Sequence, residues 1–236
     1  QGLGKPVILT GSQIPLCEVR NDARENLITV LHLAAHTPIP EVCLYFGDKL
    51  LRGCRATKTD AVGFDAFSSP NFPPLGAVGI NIHLAHDLFR PPPPPDTALR
   101  VEPLQPVQVT ALRLFPGIPA EVVRNILRPP LKGLVLETYG VGNGPTGDAD
   151  FIAALTEAHA RGVIILNCTQ CLRGSVDLSG YATGAALARA GVLSGYDMTP
   201  EAALTKLYYL LSQGGPLPQI KRLLQTDLRG ELTVPA

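Results

Sequence analysis

Four short stretches of the chain carry residues able to do chemistry. Between Gly53 and Asn71 the sequence reads GCRATKTDAVGFDAFSSPN, where Arg55, Thr57, Lys58, Thr59 and Asp60 stand together with no helical or strand period. CTQC at 168 to 171 has the spacing of a redox pair or of half a four-cysteine zinc site, but no second pair exists and no helical pattern follows it to lower a thiol pKa. His32 and His36 would share one helix face as in zinc proteases, yet the glutamate such a site needs between them is absent, and His83 and His86 also lack an acidic partner. TYGVGNGPTG at 138 to 147 places Pro145 where a dinucleotide turn needs its third glycine, and it lacks the lysine of a phosphate loop. It remains a glycine-rich turn that lets backbone approach a ligand, with Asn143 offering an amide donor and acceptor. Neither metal nor cofactor is expected.

Strands and helices must position these groups. KPVILTGS reads as a buried strand, NDARENLITVLHLAAH as a helix with Leu27, Val30, Leu31 and Ala34 at helical spacing after a cap at Asn21 or Asp22, and EVCLYFGDKLL as the next strand. Strand, helix, strand implies a right-handed crossover and a parallel pair, and Lys58 falls just past the second strand's end. Loops beyond strand ends commonly carry function in α/β proteins, although an isolated loop lysine is most often a solvated charge. RPPPPPDTALRVEPLQP at 90 to 106 excludes a helix interior or a central strand. Strand-helix alternation then resumes, ending in TPEAALTKLYYLLSQ with Thr199 as cap, Pro200 at the first position and Gly214 beyond the end. The expected fold is α/β in two domains, each a mostly parallel sheet flanked by helices. Residues 1–90 are the C-terminal part of a larger N-terminal domain, 91–106 a proline-rich linker, and 107–236 a smaller, doubly wound C-terminal domain. The tail GELTVPA is too short and polar to place.

The 236 residues carry 20 basic and 20 acidic side chains. Balanced charge without a lysine-arginine run argues against nucleic-acid or membrane-surface partners and favours a small neutral or zwitterionic ligand. No apolar stretch is long enough to span a bilayer, no signal-peptide pattern opens the chain, and five scattered cysteines do not form a secreted disulfide framework. A cytoplasmic protein with reduced thiols is the expectation.

TGSQIP at 10 to 15, RATKTDAVGFDAFSSPN at 55 to 71, ETYGVGN at 137 to 143, and NCTQC through GYATG at 167 to 184 resemble, in order along nearly the whole chain, the type I cytosolic L-asparaginases. The lysine block is the specific part. The resemblance implies hydrolysis of L-asparagine to L-aspartate and ammonia without a cofactor, by a homodimer or homotetramer. In that family threonine nucleophiles act with a Thr-Lys-Asp relay, and Lys58 matches its catalytic lysine. A threonine hydroxyl attacks only when a base takes its proton, and a lysine serves only if desolvation brings its pKa toward neutrality. Ser12 matches a position near the substrate amide, and Asn143 an asparagine that reaches a neighbouring subunit's site. The turn from Thr169 to Cys171 resembles one lining a second, regulatory asparagine site in some bacterial members.

The family's TGGT-like and GTDT-like motifs do not occur in these residues. The resemblance places them upstream of Gln1, in a missing N-terminal segment of the same protein, so the N-terminal domain is expected to be incomplete and the isolated chain inactive. Two other readings stay open: a glutaminase-type subunit passing ammonia to an amidotransferase partner, and a non-catalytic amino-acid-binding module.

Overall fold

In the computed structural model, which describes residues 1–234, KPVIL supplies β1 (Val7–Leu9), and α1 (Ala23–His36) carries the chain to β2 (Val42–Phe46). β2 lies parallel to β1, with Val7 opposite Val42 and Leu9 opposite Leu44. The buried face of α1 is Asn26, Val30 and Leu33, whereas Leu27 and Leu31 of the expected face are exposed. The face turns because the Asn26 Nδ2 group donates to Gly11 O at 2.9 Å, drawing a polar position toward the turn after β1.

EVCLYFGDKLL, expected as one strand, is a hairpin. The chain reverses at Gly47 and Asp48, with φ of 55° and 63°, and β3 (Lys49–Arg52) returns antiparallel to β2 with Phe46 opposite Lys49. Two central residues at positive φ make the two-residue turn whose twist suits paired strands. β4 (Thr57–Lys58) and β5 (Phe67–Ser68) then form a separate small ladder, while β6 (Gly76–Val78) and β7 (Ile82–Leu84) complete a sheet ordered β1-β2-β3-β6-β7. Only the β1–β2 pair of that sheet is parallel. The mostly parallel sheet expected here is therefore corrected: a parallel neighbour needs a crossover of a dozen residues, and tight turns return these strands antiparallel instead. Its core is Val30, Leu33, Ile39, Cys43, Tyr45, Leu50 and Leu75. The unit extends from Gln1 to Glu102, and the pairing of Gln1 with Arg100, through N–H donation in both directions, ties residues of the proline-rich stretch to the start of the chain.

The second unit begins at Pro103. It contains β8 (Val109–Arg113), α2 (Ala120–Ile126), β9 (Gly133–Thr138), α3 (Ala149–Ala160), β10 (Ile164–Thr169), α4 (Ala182–Arg189), β11 (Val192–Ser194), α5 (Pro200–Gln213) and α6 (Leu217–Leu224). All four strands are parallel, in the order β11-β10-β9-β8. Leu134 and Leu136 of β9 pack with Val123, Phe151 and Leu187 from α2 to α4, while Val135 packs on the opposite side with Leu207 and Ile220 of α5 and α6. The two-residue period of the strand thus fills two cores. The sequential strand order lacks the reversal of a doubly wound sheet, and α5 and α6 cover the face that a second winding would otherwise supply.

Thr199 caps α5 by accepting from Ala202 N, Pro200 opens it, and Gly214 ends it with φ 72°. The tail is placed as far as Val234, and its last two residues lie outside the described ones. Leu232 is buried, Thr233 N donates to Asp197 Oδ1 at 2.7 Å, and the Glu231 carboxylate meets Lys206 Nζ at 2.5 Å with both side chains nearly sealed from solvent. No helix among the described residues is long and apolar enough to cross a membrane.

Candidate active site

Lys58 lies on β4, paired with Phe67 of β5, rather than in an irregular loop. The hairpin between them is closed by Thr59 N and Asp60 N, both donating to Ala66 O, and its tip by Asp60 Oδ1, which accepts from Val62 N and Gly63 N. These two backbone N–H donations hold the Asp60 carboxyl below the ordinary aspartate value. Lys49 pairs with Asp65 at 2.5 Å, which fastens the far side of the tip to β3.

The lysine is exposed, and two aromatic rings lie beneath it. Its Nζ stands 4.9 Å from the Phe67 ring centre and 5.9 Å from that of Phe46, and the two rings are tilted against each other at 5.2 Å. Cation-π attraction of this kind holds the ammonium over the ring faces. The same Nζ donates to Gln13 Oε1 at 3.3 Å.

Gln13 belongs to the turn after β1, and that turn is fixed from behind. Asp22 accepts from Gln13 N at 2.9 Å and Ile14 N at 2.9 Å, Asn26 holds Gly11 O, and Thr10 Oγ1 donates to Tyr45 O at 2.9 Å. Burial works against the Asp22 carboxylate, but the donations from Gln13 and Ile14 outweigh it and keep the carboxyl below the ordinary aspartate value. Ser12, next to Gln13, is half-buried within this clamped turn. The structure therefore places the turn that carries Ser12 beside Lys58, with Gln13 as the link. The sequence reading missed Gln13, Asp22 as a clamp, and the Phe46–Phe67 platform. Its only signal for them was the neighbourhood of TGSQ and of the FDAF run.

Asn143, Thr169 and Cys171 belong to the second unit, where Thr169 is the last residue of β10 and Asn143 and Cys171 sit past the C-terminal ends of β9 and β10. Asn143 closes a tight turn, its N–H donating to Tyr139 O and its O accepting from Tyr139 N, while its side-chain Oδ1 accepts from the Thr183 hydroxyl. Gly140 and Gly142 make the turn possible with φ of 51° and 119°. Thr169 Oγ1 donates to Gly140 O at 2.5 Å and accepts from Cys171 N at 3.0 Å. Gln170 Nε2 donates to Leu114 O and Glu137 O, so three loops are knitted at one end of the sheet. Cys171 is exposed, whereas Cys168 is buried and burial pushes its thiol up to about 12, opposite to the direction a redox pair requires.

Residues 1–90 match the family model described as Asparaginase, N-terminal, and residues 108–224 that described as Glutaminase/Asparaginase C-terminal domain. The chain is 52% identical over 234 residues to L-asparaginase 1 of Escherichia coli strain K12, a match spanning 99% of this chain and 68% of that protein. It is 50% identical over 237 residues to the 60 kDa lysophospholipase of Mus musculus, spanning 100% of this chain and 42% of that one. Among solved structures, L-asparaginase I from Vibrio cholerae O1 biovar eltor str. N16961 superposes with a TM-score of 0.92 at 51% identity, covering 99% of this chain and 70% of that chain.

Proposed function

The chain belongs to the asparaginase family, and from that premise we propose that it acts in the hydrolysis of L-asparagine to L-aspartate and ammonia, with Lys58 as the proton acceptor of a Thr-Lys-Asp relay. The observation that carries the assignment is the placement of Lys58, whose Nζ is held at an open surface by Gln13 and two phenylalanine rings beside the Ser12 turn. In the relay, Lys58 takes the proton of a threonine hydroxyl as that oxygen attacks the side-chain amide carbon. The C–N bond breaks with the proton delivered to the leaving ammonia, and water then releases aspartate. A carboxylate stabilises the ammonium while it exists. Lys58 is exposed within its unit, so the desolvation this chemistry needs comes from the groups that close over it with substrate bound.

The TGGT-like and GTDT-like motifs are not among the 236 residues, and in this mechanism the threonine and aspartate come from outside them. Ser12 lies near the substrate amide, and Asn143 reaches the site of a neighbouring subunit in a homodimer or homotetramer. Thr169 and Cys171 line a second asparagine site, and residues 91–106 link domains formed by 1–90 and 107–236. An ammonia assay tests the core of this reading. The 236-residue chain alone releases none from asparagine, whereas a chimera with the part of the E. coli relative that the match leaves uncovered turns asparagine over. Turnover by the chain alone contradicts it.

A further inference from the structure

Gln13 makes two side-chain hydrogen bonds that together fix its orientation. Its Nε2 donates to Gly63 O at 2.9 Å, and its Oε1 accepts from Lys58 Nζ at 3.3 Å. A carbonyl only accepts and an ammonium only donates, so both partners demand the same amide orientation. The backbone of Gln13 is itself anchored by the Asp22 carboxylate. The amide therefore spans the Ser12 turn and the tip of the lysine hairpin, and Arg20, 5.8 Å from the Phe64 ring centre, joins the same two segments a second time.

We infer that Gln13 is a positioning residue for Lys58, chosen by chemistry as a neutral acceptor. An amine that must gain and lose a proton keeps an N–H for Gln13 in both states, so the contact survives the catalytic cycle. A glutamate of the same shape would bind the ammonium more tightly, disfavour the free amine, and repel Gly63 O. A methionine of similar length would offer neither bond. Glutamine alone among these holds Nζ over Phe67 without fixing its charge. This inference rests on the proposed role of Lys58 as proton acceptor.

The test has two readouts. In the 236-residue chain, trace acetylation read by peptide mass spectrometry gives the pH midpoint at which Lys58 becomes reactive. Gln13→Glu moves that midpoint up by about half to one pH unit, as expected for a carboxylate at hydrogen-bond range in high dielectric, while Gln13→Met does not raise it. In the assembled enzyme, the chimera that turns asparagine over, Gln13→Met lowers kcat about tenfold or more with KM little changed, and Gln13→Glu displaces the rising limb of the pH–rate profile to higher pH, recovering at alkaline pH. An unmoved midpoint in Gln13→Glu, or wild-type kcat in Gln13→Met, overturns the inference. Should Lys58 prove dispensable for turnover while the midpoint still shifts, the contact between Gln13 and Lys58 is supported and the relay alone fails.

Discussion

Cys43 and Cys168 are both buried, and burial pushes each thiol up to about 12, whereas Cys17 and Cys171 are exposed. At pH 8 only a minute fraction of either buried thiol is thiolate, so iodoacetamide treatment of the native chain labels Cys17 and Cys171 and spares Cys43 and Cys168. Peptide mass spectrometry checks this, and rapid labelling of Cys168 contradicts the packing described. The residues proposed to touch a ligand were more legible in sequence than those that support them. Lys58 and Asn143 stood out as polar groups outside any hydrophobic period, whereas Gln13 and Asp22 looked like ordinary loop and cap residues. Their roles depend on a fold that brings Gln13 against a lysine forty-five positions away. For Asn143, the turn is held by backbone bonds that do not use the side chain, so the side chain is replaceable without unfolding, at the loss of its bond from Thr183. Asn143→Ala raises KM for asparagine several-fold in the assembled enzyme, with a stability cost of only about 1 kcal/mol for the lost hydrogen bond.

At the scale of elements, long periodic segments were readable and tight turns were not. Thr199, Pro200 and Gly214 delimited α5 because capping depends on neighbours in sequence. The hairpin in EVCLYFGDKLL was missed because a Gly-Asp pair between apolar runs was read through, although two residues of that type between strands are a turn signal. α6 was missed too: eight residues that start between Pro216 and Pro218 look like loop until Ile220 and Leu224 find the second core. The spacing of Leu27, Val30, Leu31 and Ala34 pointed to the wrong face of α1, because apolar residues lie on both sides of it and the Asn26 bond to Gly11 O sets which one is buried. Gly47 is the sharpest point of the hairpin, since a Cβ there would lie 2.8 Å from Phe64 O and φ is 55°. Gly47→Val costs about 1–3 kcal/mol of stability in urea unfolding followed in the first unit. It also loosens the lysine hairpin, whose tip packs against that turn.

Across the molecule, a division into two α/β units was anticipated from composition and alternation, because a proline-rich stretch and repeated strand-helix units are local signals; that the two sheets differ in architecture was not. The antiparallel majority of the first sheet and the docking of the tail were not, because both depend on distant partners. In the second unit the Glu231–Lys206 pair fastens the tail to α5. Burial opposes the Glu231 carboxylate, but Lys206 outweighs it and keeps the carboxyl below the ordinary value of 4.5. The stabilisation is thus complete above that value and is lost as pH falls through the lower folded one. Glu231→Gln removes the buried counter-charge of Lys206, which keeps its donation to Thr226 O, at a cost of about 3–5 kcal/mol near neutrality, and removes this contribution to acid sensitivity. Denaturant titrations at pH 7 and in the acid range measure both effects.

On the proposed mechanism it is Lys58 that moves the proton. Replacing it by methionine keeps a chain of similar length over Phe67 and Phe46 while removing the amine. In the assembled enzyme, the kcat for ammonia release from asparagine, measured with thermal stability on the same preparation, decides the claim. Lys58→Met is expected to lose about a hundredfold or more in kcat, the scale of a positioned acid-base group, with melting temperature nearly unchanged. Near wild-type turnover in that variant would contradict it.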